Sequence, residues 1–372
     1  MKRLILLRKR LLQDPWGRGF LRLLSWVYGA ATAIRRLLYQ WRILPTKRLP
    51  AKTVCIGNLT TGGTGKTSAV LLAAETLRKH QVSVAILSRG YRRPKPTTDV
   101  QVLAGGSESA WIQAGDEPWM MHQVLKDYDV PILVAPNRYK AGLEAVHNFK
   151  SRILLLDDGF QHLRLHRDLN IVLISALDPF GGDHLLPLGE LREPLKPGLR
   201  RANLIIITHA NKVSAERLEE IRQILHKLRP HAPILEAVHQ PDFLLDVKHE
   251  KKLPLDHISN RAVASFCAIG SPETFEGDLR RLGAKLRQVW RYPDHHVYSM
   301  QEMRSIDRVR GNMPVVTTLK DVPRLPMGWQ QAISGEVLAL AIRLDFIRGR
   351  EIWESTFLKL KEPRWTPPPL PR

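Results

Sequence analysis

An α/β fold built around a parallel sheet follows from three features of this 372-residue chain. Short apolar runs at 53–56, 82–87, 132–135, 153–156, 171–174 and 204–207 read as buried strands. Helical stretches lie between them, as at 68–79, where Ala69, Leu72, Ala73, Thr76 and Leu77 share one face. The first run opens into a glycine-rich turn, Gly62-Gly63-Thr64-Gly65-Lys66-Thr67, that ends at a helix start. Crossovers of this length between apolar strands argue a parallel sheet covered on both faces.

The glycine turn carries the chemistry. Amides of Thr60 through Thr64 and the helix N-terminus at Gly65 can take phosphate charge, Lys66 can reach β/γ oxygens, and Thr67 can ligate Mg²⁺. Thr60 stands where the usual pattern has its first glycine, but the strand before it and the helix after it supply the expected context. The first half is therefore read as a P-loop NTPase (RecA-like) domain. Asp157-Asp158 closes a later apolar strand, which is the place and residue type for a Walker-B acid, with a turn cap as the structural alternative.

The formal net charge of +21 points to an anionic partner, nucleic acid or acidic lipid. Residues 1–50 hold twelve Lys or Arg against one acid, Asp14. Phe20, Leu24, Val27, Ala31, Ile34 and Leu38 fall on one helical face, bracketed by Arg18, Arg22, Arg35, Arg36 and Arg42. The longest uncharged stretch, 23–34, is too short to span a bilayer about 30 Å thick. A helix lying in the headgroup layer is expected, with packing on the domain core as the alternative. No nucleic-acid module accompanies the charge, so nucleic acid is not expected. Two cysteines, Cys55 and Cys267, sit in apolar stretches without metal-ligand spacing and suit a reducing cytoplasm.

The connection 175–202 is rich in Pro and Gly and long enough to be functional. Periodicity fades near 233–242, and a second, smaller α/β unit follows with strands at 262–269 and 315–318 and a helix near 275–282. The expected organisation is a basic amphipathic segment over 1–50, a P-loop domain over 51–235, a second domain over 236–362 and a proline-rich tail over 363–372. Proton acceptors for phosphoryl transfer to a hydroxyl are numerous: Asp116, Glu117 and Asp183, and His162, His184, His295 and His296. Composition does not choose among them.

The ordered set of motifs resembles the tetraacyldisaccharide 4′-kinases of lipid A biosynthesis. The resemblance rests on Gly57-Asn58-Leu59-Thr60 before the glycine turn, Ser88-Arg89-Gly90-Tyr91, Gly115-Asp116-Glu117-Pro118, Asn137-Arg138 and Asp157-Asp158-Gly159-Phe160-Gln161-His162. It continues through Leu185-Leu186-Pro187, Leu191-Arg192-Glu193-Pro194, Pro293-Asp294-His295-His296 and Thr317-Thr318-Leu319-Lys320-Asp321.

The resemblance implies transfer of the γ-phosphoryl of ATP, with Mg²⁺, to the 4′-hydroxyl of tetraacyldisaccharide 1-phosphate. It places the enzyme at the cytoplasmic face of the inner membrane of a Gram-negative bacterium, with no obligate protein partner expected. It implies Asp116 as general base with His295, rather than His296, as its partner. Glu117 and Asp157 would serve the metal, and Asp158 the surrounding network. Arg89, Arg138, Gln161, His162 and Arg192 would line the site. The rival is a P-loop switch or partitioning ATPase acting on a protein. Two positions weaken it: Ser214 replaces the carboxylate of a guanine-reading Asn-Lys-x-Asp, and Thr61 replaces the second lysine of a partitioning ATPase.

Overall fold

The computed structural model describes residues 2–90, 99–103 and 115–361. The basic loop at 91–93, the turn-rich connection from 104 and the proline-rich tail from 363 lie outside them.

The strands are β1 (Lys52–Asn58), β2 (Val84–Ser88), β3 (Gln101–Leu103), β4 (Ile132–Val134), β5 (Ile153–Asp157), β6 (Leu169–Ser175) and β7 (Leu204–Thr208). Then follow β8 (Ile234–Asp246), β9 (Lys251–Leu253), β10 (Ala262–Cys267), β11 (Lys285–Arg291), β12 (Val315–Thr318) and β13 (Val337–Arg348). All join one sheet in the order β11-β10-β12-β13-β8-β7-β6-β1-β5-β2-β4-β3, with β9 paired to β8. From β8 to β4 the neighbours run parallel, and β3 closes that edge antiparallel. The strands β11, β10, β12 and β13 form a second parallel block.

The two blocks meet where β8 pairs antiparallel with β13, from Glu236↔Arg348 to Asp246↔Leu338. The stretch 233–242, expected as a boundary, therefore lies almost wholly within a 13-residue strand. His239, Gln240 and Asp242 are half-buried and polar, and the register shifts near Pro241, so the strand lacks a regular apolar pattern there. Its start belongs to the first block and the remainder to the second.

The helix after the glycine turn, α3 (Lys66–Lys79), explains why the blocks share a core. Ala69, Val70, Leu71, Ala73, Ala74, Thr76 and Leu77 are buried, a wider apolar surface than one sheet face requires. One contiguous core joins Val54, Val70 and Leu77 to Ala339, Trp353 and Phe357 of the second block. Trp353 Nε1 donates to Thr76 Oγ1 at 3.0 Å, satisfying a buried indole.

At the N-terminus, α1 (Lys2–Gln13) and α2 (Pro15–Gln40) form a hairpin, with Asp14 capping α2 by accepting from Gly17 N at 2.7 Å. On the side of α2 turned to the protein Gly17, Leu21 and Ser25 are buried, and Ser25 Oγ and Tyr28 Oη donate to the carbonyls of Leu185 and Arg192. Trp16, Phe20, Leu23, Trp26, Val27 and Ile34 are exposed, Trp16 at 88%. The apolar face expected from the sequence thus points away from the core. Among the described residues, no helix is long and apolar enough to cross a membrane.

Candidate active site

The register Ile56↔Asp157 sets the carboxyl ends of β1 and β5 side by side, so the glycine turn and the Asp157-Asp158 pair emerge together. Gly62 and Gly65 adopt φ of +102° and +81°, a conformation that side chains resist. A Cβ at Gly65 would also lie 2.6 Å from the His239 ring. Thr208 Oγ1 donates to Thr64 O at 3.1 Å and Thr61 N to Glu190 O at 2.8 Å, so the turn is held from both sides. The Thr61 hydroxyl also contacts the Glu190 carboxylate, which Arg8 of α1 pairs at 2.7 Å. The amphipathic hairpin is thereby tied directly to the phosphate loop.

Lys66 Nζ lies 4.0 Å from Asp158 Oδ1. Burial pushes its ammonium pKa below the ordinary value, with Asp158 opposing that shift. Arg192 NH1 donates to both Asp158 oxygens, at 2.9 and 3.0 Å. Asp158 is held at φ +49°, a left-handed conformation stored at a polar site. Gln161 Nε2 donates to Asn58 O at 2.9 Å and to Glu193 Oε1 at 3.2 Å, and Glu193 is paired by Arg201 at 2.6 Å.

Asp157 is buried, and its carboxyl pKa is pushed up to about 7, first by burial and then by the charges of Glu117 and Asp158. Arg138, the first residue of a helix capped by Asn137, is buried beside it; burial and then Arg89 push its pKa down to about 10. His162 is driven down to about 4 by burial and by Arg138, Arg167, Arg35 and Arg164. It is therefore neutral near pH 7 and offers hydrogen bonds rather than charge.

A second group lies across from this one. Asp116 opens the helix Asp116–Leu125, whose N-cap is Gly115, and its Oδ2 accepts from Arg324 Nε at 3.0 Å. Arg324 NH2 donates to His295 Nδ1 at 3.0 Å. The neighbouring His296 turns elsewhere: it stacks on Tyr292 and meets Glu302 at 2.9 Å.

Glu117 is exposed, and its charge acts on both Asp157 and Lys66. Arg324 and Asn58 were not singled out as site residues from the sequence. Arg324 follows the Thr-Thr-x-Lys-Asp stretch by three residues, and nothing local marks it. Asn58 is fully buried with neither amide atom partnered, which sets an unsatisfied polar group beside the phosphate turn. Its signal was the Gly57-Asn58-Leu59-Thr60 lead-in.

The family model described as LpxK: Tetraacyldisaccharide-1-P 4'-kinase matches residues 18–360. The chain belongs to this family. Among curated relatives, the tetraacyldisaccharide 4'-kinase of Elusimicrobium minutum is 43% identical over 362 residues, covering 96% of this chain and 95% of the relative. The kinase of Anaeromyxobacter sp. (strain K) is 36% identical over 348 residues, covering 93% and 91%. The crystal structure of "apo" form LpxK from Aquifex aeolicus in complex with ATP superimposes with a TM-score of 0.74 at 31% identity, covering 93% of this chain and 99% of that one. The mixed α/β, P-loop kinase reading of the fold is thereby shown for this member of the family.

Proposed function

We infer that this chain transfers the γ-phosphoryl group of ATP to the 4′-hydroxyl of tetraacyldisaccharide 1-phosphate, forming lipid IVA. The observation that carries the reading is Lys66 placed 4.0 Å from Asp158, with Asp157 acting on its charge, at adjacent strand ends of a chain that matches the kinase family over almost its whole length. Phosphorylated lipid formed in step with ADP separates this from the switch or partitioning ATPase, which releases inorganic phosphate. Turnover should depend on dispersed tetraacyldisaccharide 1-phosphate and yield phosphorylated lipid. Lipid-independent ATP hydrolysis without lipid product would refute it.

In this reading the amides around Gly62–Gly65 and the start of α3 cradle the triphosphate, and Lys66 stabilises charge on the transferring group. Asp116 receives the proton of the attacking hydroxyl, and His295 acts as its partner. Arg89, Arg138 and Arg192 favour phosphate oxygens, Arg192 being already oriented by Asp158. Gln161 and neutral His162 complete the wall by hydrogen bonding.

The donor set fits Mg²⁺. Thr67 offers a hydroxyl, and Asp157 and Glu117 offer hard oxygen ligands. The described residues contain no cluster of three or more His, Cys, Asp or Glu able to hold a metal ion, but Mg²⁺ characteristically uses one or two carboxylates together with substrate phosphates. Bound there, Mg²⁺ would neutralise β- and γ-phosphate oxygens.

The raised pKa of Asp157 gives a pH test. Below about 7 the carboxyl holds a proton that Mg²⁺ must displace, and above it the carboxylate is ready. Affinity for Mg²⁺ with a non-hydrolysable ATP analogue should rise with pH through that value and flatten above it. Calorimetry in buffers of different ionisation enthalpy should detect proton release on the acidic side only. Affinity independent of pH across this range would contradict the assignment.

The exposed apolar side of α2, with its flanking arginines, supports docking on the cytoplasmic face of the membrane that holds the lipid substrate. Burying a large apolar side chain contributes about 1.5–3 kcal/mol. Trp26→Ser should therefore weaken sedimentation with anionic vesicles by about tenfold or more. Turnover of detergent-dispersed substrate should change little. Unchanged vesicle binding would argue against this face as the docking surface.

A further inference from the structure

We propose that Arg324 is a positioning residue that holds Asp116 and His295 in one hydrogen-bonded chain and fixes the tautomer of His295; the proposal rests on the roles given to those two residues above.

The Arg324 side chain is only 8% exposed and is gripped from behind. Its NH1 donates to Ala268 O at 3.2 Å and faces Asp321 Oδ1 at 3.4 Å. Asp321 is itself fully buried, accepting from Ala268 N at 3.2 Å and Thr318 Oγ1 at 2.6 Å. The guanidinium is thus anchored to the ends of β10 and β12, and Asp321 already meets its need for a buried counter-charge.

The other edge of the fork faces outward. Nε reaches Asp116 across 208 residues of sequence, and NH2 reaches His295 Nδ1. These contacts exceed what burial of the arginine requires. A guanidinium has no acceptor, so Nδ1 must present its lone pair, and the proton of the neutral ring sits on Nε2. His295 is fixed from its backbone too, at φ +62° with its N–H donating to Ala268 O at 3.2 Å. One carbonyl therefore anchors both the histidine and the arginine. Because Nε and NH2 belong to one rigid plane, the separation of their two partners is set by covalent geometry, which a lysine cannot reproduce.

Kinetics and nitrogen NMR on the full chain test this. Arg324→Met should lower kcat by about 10²-fold, the scale of a catalytic pair misplaced by roughly 1 Å, while KM for ATP and for lipid stays within about threefold. Arg324→Lys should recover less than about tenfold of the loss, because charge without the fork is insufficient. Placed on His295→Ala, Arg324→Met should cost clearly less than it does in the parent chain, because only the steering of Asp116 is left to lose.

Imidazole ¹⁵N shifts should report the Nε2–H tautomer of His295 in the parent chain and a mixture in Arg324→Met. An unchanged tautomer, full additivity, or complete rescue by lysine would overturn the proposal. If Arg324→Met does not fold by circular dichroism, Arg324→Lys carries the same kinetic and NMR readouts. A parent chain that phosphorylates no lipid would remove the functional reading, while the tautomer measurement would still decide the role of Arg324.

Discussion

Lys66→Met is expected to lower kcat/KM for ATP by about 10³-fold, from loss of a buried cation aimed at the phosphate site. The side chain is largely buried, its Nζ lies 4.0 Å from Asp158, and its charge opposes the high pKa of Asp157. Arg192 cannot substitute, because its NH1 is committed to both oxygens of Asp158. Removing the ammonium also leaves Asp157 with less counter-charge, so its carboxyl should titrate higher still. Steady-state kinetics with an independent titration of a non-hydrolysable ATP analogue would separate loss of binding from loss of transition-state stabilisation. A variant within about tenfold of the parent would mean that backbone amides alone hold the transferring group.

Asp116→Ala should cut turnover by about 10²–10⁴-fold while leaving nucleotide affinity largely intact. The carboxylate sits at the first turn of its helix and is 45% exposed, open to a substrate hydroxyl, yet it is steered by Arg324. Removing it strands no buried charge, because Arg324 keeps Asp321. Fold stability should therefore change little. Asp116→Asn sharpens the test. The amide oxygen can still accept from Arg324 Nε but cannot take a proton at neutral pH, so it should be as inactive as alanine. Substantial recovery with asparagine would make Asp116 a positioning group rather than the base.

The first block of the sheet was legible because its strands are continuous apolar runs, the mark of strands buried on both faces. The glycine turn was legible because its backbone demands are local. The second block was harder. β11 lies at the sheet edge and is largely exposed, so its sequence Lys-Leu-Arg-Gln-Val-Trp-Arg shows no buried face. The helix Met300–Arg310 buries only Met303, Ile306 and Arg310 and is otherwise mostly polar or charged. β8 hid behind a bulge and a polar middle.

At the site, the Asp157-Asp158 pair could be found from its place at the end of an apolar strand. Assigning Asp116 and His295 needed the family resemblance. Arg324 was invisible because its meaning lies in contacts to Asp116 and His295, which only the tertiary fold supplies. The choice between adjacent histidines likewise depends on the turn that sends His296 onto Tyr292 and leaves His295 facing Arg324.

Delivery of the γ-phosphoryl group of ATP from the Lys66 site to one sugar hydroxyl of a membrane lipid is the proposed reaction. Its most direct test is phosphorus NMR of the lipid recovered after incubating the full chain with ATP, Mg²⁺ and dispersed tetraacyldisaccharide 1-phosphate. One new phosphomonoester coupled to the proton at the 4′ position is expected, formed in step with ADP. Release of inorganic phosphate with the lipid unchanged, or a phosphate at another hydroxyl, would contradict it.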